Sequence, residues 1–445
     1  MTARSGRRPA GYPRAMHRLA TLLALGLPLL VAAPVRAEEP FPLAPGTVVT
    51  EARIAELEPW LPSQYWAHRD VFLPPGMEME IGPAFRDYAP PPVYRTATEA
   101  NRGSASIGED ATLVGYRSGL PFAEIDCNEG KAGAKAIWNF IWRWQGFGME
   151  GDVRYTYWES GAKRALEYRG KSFGFFLKHR PEPQFADGDV FPHEKRAAVV
   201  GLVGEFPAQA KGIRTLTYRY EASFGPRATA QPEDTWVYVP DLRRTRKISE
   251  TQRSSAFAGT DFSFDDLFSF SGLPAQYEWS CLGERVLIAP VNTKRRGYPY
   301  VDEGDFGPSG LSFADDRWEA RRAIGVRMMP RDPAHPYSRK DVWLDQQTFE
   351  PLYAFAYDRK GELWKVIHHV HRWSEDDLGT EKAREWYPAW ENVPEPRDLK
   401  IVAEALLNVQ TGTGNRIEFW NAQGAPPDLR RLRMRLDVRS LSRGG

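Results

Sequence analysis

The 445-residue chain carries 59 Lys and Arg against 58 Asp and Glu, a formal net charge of +1. That balance, which turns to −5 once residues 1–37 are removed, argues against nucleic acid as the main partner. Two Cys exclude a disulfide-dense or zinc-stapled scaffold, and the length suffices for one large or two medium domains with a real core.

The N-terminus has the three parts of a secretory signal. Residues 1–18 carry Arg4, Arg7, Arg8, Arg14 and Arg18 and no acid, Leu19 to Ala33 is almost wholly apolar, and Val35-Arg36-Ala37 offers a small-residue exit. The apolar run is about 15 residues, short of the roughly 20 that span a bilayer. The expectation is export to the periplasm with cleavage after Ala37. Removing residues 1–37 takes six Arg away, so Lys and Arg fall to 53 against 58 acids, a net charge of −5. Cys127 and Cys281 would then sit in an oxidising compartment, where a disulfide and two buried thiols both remain open.

Residues 38–100 read as an irregular N-terminal segment. Ile54, Leu57 and Trp60 suit a short helix over 51–60, and Pro90-Pro91-Pro92 forms an extended linker. Residues 101–445 read as one large domain. Segment 113–122 is a strand or loop ending in a Gly-Leu-Pro turn. The clearest helix spans 129–144, with Ala132, Ala136, Ile137, Phe140, Ile141 and Trp144 on one face and Asn128 as its N-cap. Period-two alternation then predicts strands at 152–158, 213–221, 235–239, 277–289, 323–329 and 352–357. The Asp358–Gly361 turn leads into another at 362–370. Roughly ten strands joined by hairpins favour an antiparallel sheet. Loops at 290–312 and 330–340 interrupt it, and 427–442 reads as an Arg- and Leu-rich helix.

Fifteen Trp, 18 Tyr and 23 Phe fit a large sheet core, because aromatic residues favour strands. A few same-face sets are candidates for a ligand cavity: Tyr218 and Tyr220, Trp236 and Tyr238, and Tyr353, Phe355 and Tyr357. Other constellations read as structural. His369 and His371 share a strand face beside His368, but no third metal ligand is placed nearby, so polar residues on a solvated face are expected. Asp261, Asp265 and Asp266 among Phe residues suit capping or loop fixing, with a glycosidase-like acid pair as the rival reading. Asp305-Phe306-Gly307 copies a kinase triplet without its companion motifs. The run Arg243-Arg244-Thr245-Arg246-Lys247 fits either a charged sheet edge or an anionic surface. There is no nucleophile elbow, phosphate loop or dinucleotide fingerprint.

Two stretches carry a family resemblance. They are Gly115–Phe122 with Trp138-Asn139, and Asp234-Thr235-Trp236-Val237-Tyr238-Val239-Pro240-Asp241-Leu242-Arg243-Arg244-Thr245-Arg246 continuing to Tyr277-Glu278-Trp279. A fainter echo lies in Val342–Asp345, Tyr357-Asp358 and Leu363-Trp364. Over about residues 70–430 the chain resembles the exported family catalogued as domain of unknown function 1329, grouped with outer-membrane lipoprotein-sorting proteins. The resemblance implies an α+β fold: a curved, open half-barrel of antiparallel strands with helices plugging its concave face. It implies a non-enzymatic periplasmic carrier of a lipid or other hydrophobic ligand, accessory to an envelope resistance-nodulation-division-type transporter, with peripheral outer-membrane contact. No cofactor and no metal is implied. A glycan-binding or carbohydrate-active protein using Trp stacking and the Asp cluster is the alternative.

Overall fold

The computed structural model describes residues 41–159, 163–248, 253–294, 306–375, 395, 397–423 and 429–443. The signal segment 1–37 and Asp305 of the kinase-like triplet lie outside these. The N-terminal part holds β1 (Val48–Thr50), a 3₁₀ helix (Glu51–Trp60), α1 (Ser63–Trp66), α2 (Arg69–Phe72), β2 (Glu78–Ile81) and α3 (Pro92–Ala100). A small hairpin, β3 (Ser106–Ile107) and β4 (Leu113–Val114), precedes α4 (Ala132–Trp142). Then come β5 (Gly148–Glu159), β6 (Lys163–Phe176), β7 (Arg196–Phe206), β8 (Arg214–Tyr220), β9 (Asp234–Val239) and β10 (Arg244–Ile248). The second half holds β11 (Tyr277–Ala289), β12 (Arg317–Pro330), β13 (Arg339–Asp345), β14 (Pro351–Tyr357), β15 (Leu363–Trp373), β16 (Leu399–Asn408) and β17 (Thr413–Gln423). Helices α5 (Leu429–Arg435) and α6 (Ser440–Arg443) close the chain.

Among the described residues, fifteen strands form one open, curved sheet in the order β1-β2-β12-β13-β14-β15-β16-β17-β5-β6-β7-β8-β9-β10, with β11 also on β12. All pairs are antiparallel except β2 with β12. Most of the sheet follows chain order because short hairpins can join only antiparallel neighbours. Asp358 builds one such hairpin: its Oδ1 accepts the N–H groups of Lys360 and Glu362, and Gly361 takes φ 83°.

The N-terminal segment, read as irregular, is part of this fold. Through β2 it joins the sheet, and Leu57, Tyr65, Phe72 and Met79 are fully buried against it. The period-three pattern at 51–60 becomes a 3₁₀ rather than an α-helix, with Pro59 inside it. Helix α4 starts three residues later than its periodicity suggests. Asn128 is not its cap: Lys131 holds that position, while the Asn128 backbone N–H bonds to Asp126. Ten of its eleven residues are buried, as expected of a helix apolar all round.

Alternation and register define two faces. On the helix face, α4 and the strap 253–276 cover Ile324, Val342, Ala354, Ile367 and Ile417. On the opposite face, the N-terminal segment and residues 306–314 cover Trp318, Tyr353, Phe355, Val366 and Ala405. Farther along that opposite face, α5 and α6 bury Leu432, Leu436 and Leu441 against Phe173, Phe175, Val199 and Leu216. Cys127 and Cys281 are paired, with Cα atoms 5.3 Å apart. This tethers the chain just before α4 to β11.

Candidate site on the helix face

The seven aromatic residues singled out from the sequence fall on one face of the sheet, the face opposite α4. The ladder runs from Tyr353 through His368, Ala405, Arg416 and Thr156 to Glu167, and residues 173 and 175 of β6 share that side. Phe175 pairs with Val199, which pairs with Tyr218, and Leu216 pairs with Trp236. The register separates the seven into two groups several strands apart. Tyr353, Phe355 and Tyr357 are buried under the N-terminal segment, with the Tyr353 hydroxyl on the carbonyl of Ile288. Tyr218, Tyr220, Trp236 and Tyr238 pack toward the C-terminal helices, with the Tyr218 hydroxyl on the carbonyl of Leu436.

The histidines are not on a solvated face. All three have no exposed surface. His368 lies among the rings of Tyr65, Phe72, Phe313 and Tyr353, and burial pushes its pKa down to about 3. On the helix face His369 Nε2 lies 3.3 Å from Glu404, and His371 Nε2 lies 3.6 Å from Glu350, which also accepts from Arg143 at 2.7 Å. Among the described residues no three His, Cys, Asp or Glu side chains converge as a metal site.

The aspartates hold the strap onto the sheet. Asp266 is fully buried, 2.8 Å from Lys365 Nζ and 3.0 Å from Lys340 Nζ, and it accepts from the Tyr337 hydroxyl at 2.7 Å. Burial alone would raise its pKa, but the two ammonium groups hold it far below the usual carboxylate range. Asp265 is engaged by Ser254 and His335, and Asp261 by Asn408 and Thr413. Ala354 and Ala356 of β14 leave the depth this polar network occupies, since both lie on the same face as Lys340 and Lys365. An aspartate so firmly ionised donates no proton at neutral pH, so Asp266 is not the acid that glycoside hydrolysis needs.

The helix face is filled only in part. In β7, Val199 on the opposite face is fully buried, whereas Val200 on the helix face is 51% exposed. Around Val200 the register assembles a floor of mostly small and β-branched residues, with one leucine: Gly174 and Ser172 of β6, Leu202 of β7, Thr217 and Thr215 of β8, and Val237 of β9. Leu202 and Val237 are half-buried. At one end Tyr168 meets Phe257 of the strap, ring centroids 6.2 Å apart. At the other end Phe176 enters an aromatic cleft at the C-terminus of α4. From Tyr168 to Phe176 the floor is about 26 Å long at about 3.3 Å per residue.

The cleft is shallow: its enclosed space is about 20 Å³, and about 310 Å³ when the open mouth is counted. Its centre is Trp142, with ring centroids 4.7 Å from His179, 5.3 Å from Tyr116, 6.0 Å from Phe224 and 6.3 Å from Phe176. Lys178 and Arg180 at the wall are neutralised within the protein: Lys178 pairs with Glu221 and Asp189, and Arg180 with Glu182. Burial lowers the pKa of His179, favouring a neutral ring. The Trp142 indole N–H is buried and has no partner among the described residues; the Ser172 hydroxyl on the floor is in the same condition. Buried donors are normally satisfied; these two stand out for lacking a partner among the described residues.

Trp142, Val200 and Ser172 were not singled out from the sequence. The signal was present in β6, where Phe173 and Phe175 alternate with Ser172 and Gly174. Such alternation gives one well-packed face and one shallow one.

The family model described as a protein of unknown function, DUF1329, matches residues 61–421. The chain belongs to the DUF1329 family. It is 21% identical over 240 residues to an uncharacterized protein of Pseudomonas aeruginosa, covering 53% of this chain and 50% of that one. The chain thus spans about half the length of the curated relative it matches. Among solved structures, a DUF1329 family protein from Desulfovibrio piger is similar at 18% identity and a TM-score of 0.42, covering 66% of this chain and 92% of that one. A LolA superfamily protein from Nitrosomonas europaea is similar at 12% identity and a TM-score of 0.34, covering 65% and 90%. No described helix is long and apolar enough to cross a membrane.

Proposed function

We propose that this DUF1329 protein is a non-enzymatic periplasmic binding and carrier protein for a lipid or other hydrophobic ligand. We place the ligand on the open floor of the helix face, from the aromatic cleft at Trp142 toward Tyr168. The observation that carries the reading is the exposure of Val200 among half-buried neighbours, on strands whose other face buries Phe175, Val199 and Leu216. Each methylene removed from water is worth about 0.8 kcal/mol, so an extended chain lying on this floor supplies binding energy without any reactive group. Delivery toward the outer membrane, as an accessory to an envelope transporter of the resistance-nodulation-division type, extends the same proposal along the family resemblance.

The test is native mass spectrometry of the mature protein from a periplasmic extract, followed by solvent extraction. Near-stoichiometric recovery of a lipid or hydrophobic small molecule, displaced in a Val200→Glu variant, supports the reading. A protein that is empty as isolated and takes up no added lipid overturns it.

A further inference from the structure

The end of the sheet farthest from the N-terminal segment collects positive charge on both of its faces. Strand β10 is an edge strand. Its register with β9 puts Arg244 and Arg246 opposite Val239 and Val237 on the helix face, and Lys247 opposite Trp236 on the other. Arg243 sits at the turn into β10, and Arg243, Arg244, Arg246 and Lys247 are all exposed. Helices α5 and α6 lie against the opposite face of the same strands: the carbonyl of Leu441 accepts from Arg214, and that of Leu436 accepts from Arg196. They expose Arg430, Arg433, Arg439 and Arg443. Segments 234–248 and 429–443 together hold ten Lys and Arg against three Asp, although the chain beyond residue 37 is net negative.

Part of this charge is compensated internally. Lys247 pairs with Asp234 at 2.5 Å, and Arg439 pairs with Asp437 at 2.8 Å. Arg243, Arg244 and Arg246 have no carboxylate partner among the described residues. Apolar side chains stand among the cations: Leu242 at the turn is 51% exposed, and Met434 on α5 is 59% exposed. A charged edge that only guards against strand pairing needs the cations but not the exposed Leu and Met. Guanidinium groups match phosphate geometry bidentately, and apolar side chains beside them suit the boundary between headgroup and acyl chain.

We propose that this basic, Leu242- and Met434-bearing end is a docking surface for an anionic phospholipid membrane. It stands on charge and exposure, independently of what occupies the helix-face floor. Docking there would bring the open floor of β6 to β9 next to the bilayer, because Arg244 and Arg246 extend that same face.

The test is co-sedimentation of the full mature chain with vesicles of phosphatidylcholine alone and of phosphatidylcholine with 30% phosphatidylglycerol. Binding to the anionic vesicles should exceed binding to the neutral ones at least tenfold at low ionic strength. It should fall several-fold at ~0.5 M salt, where the Debye length is below about 5 Å. Arg244→Gln with Arg246→Gln should lower anionic-vesicle binding about tenfold and leave the thermal melt of the protein unchanged. Equal binding to both vesicle types, or no binding, overturns the proposal, as does salt-independent binding. The wild-type salt series decides the matter even if the double variant folds poorly.

Discussion

Two buried side chains illustrate how a single residue's surroundings set its part in this protein. Trp142 keeps an unpaired indole N–H in a cleft whose cations are already neutralised. Its partner is expected to be a neutral acceptor, such as an ester or ether oxygen. Trp142→Phe keeps a six-membered aromatic ring and removes the pyrrole ring with its donor. It should weaken a long-chain ester about tenfold, the worth of one hydrogen bond of about 1 kcal/mol or slightly more, while an alkyl probe lacking oxygen binds as before. Titration calorimetry with both probes checks this. His368 has the opposite character, because burial among aromatic rings outweighs the one carbonyl, that of Leu311, which favours a charge. Its folded pKa of about 3 lies below the roughly 6.5 of an unfolded chain. Between those values the unfolded state binds the extra proton, so the stability from His368 is complete above pH ~6.5. It is lost as pH falls toward 3, at about 1.4 kcal/mol per pH unit. His371, also lowered by burial, adds in the same direction. His368→Phe, placed among the rings of Tyr65, Phe72, Phe313, Tyr353 and Trp318, should flatten the decline of denaturant midpoint between pH 6.5 and 4 and change it little at pH 7.5.

At the scale of elements, α4 is fixed by contact as much as by its apolar surface. A Cβ on Gly133 would come within 2.6 Å of the Ser280 backbone of β11, next to the Cys127–Cys281 disulfide. In an exposed helix Gly→Ala gains about 1 kcal/mol; here overpacking of about 1–3 kcal/mol should win. Gly133→Ala should therefore lower the urea midpoint with the disulfide intact. The strands with clear alternation, such as 277–289 and 352–357, were legible in the sequence, and β11 and β14 match them within a residue. Strands β16 and β17 were not legible. β16 is buried on both faces, so LKIVAEALLN shows no alternation and contains residues that equally suit a helix. The histidines were misplaced for a related reason: His368, His369 and His371 are polar by type, yet two covering layers bury both faces of β15. The open floor could not be read because its emptiness depends on where α4 and the strap stop.

For the molecule as a whole, the N-terminal segment serves as a cover. Residues 41–88 supply Val49, Leu57, Tyr65, Phe72, Met79 and Tyr88 to the core on the opposite face. A chain starting at residue 101 would expose Trp318, Tyr353 and Phe355 to water at several kcal/mol in total. Such a truncation should be recovered as an aggregate or as a dye-binding, protease-sensitive species, while the full mature chain resists limited proteolysis.

The join between β17 and β5 has a consequence for how the protein comes into being. Residues 148–159 take as neighbour residues 413–423, about 260 positions later. Strands β5 to β10 can meander together early, and β12 to β16 can do the same, but the seam that makes them one sheet waits for almost the last strand. Pairing across so long an interval is slow, because loop-closure entropy is lost before contacts compensate it. Until then both β5 and β16 present unpaired edges. A nascent chain therefore passes through two half-sheets in search of each other, and its yield on refolding should fall steeply with protein concentration, since a second molecule offers the same edges sooner than the chain's own C-terminus does.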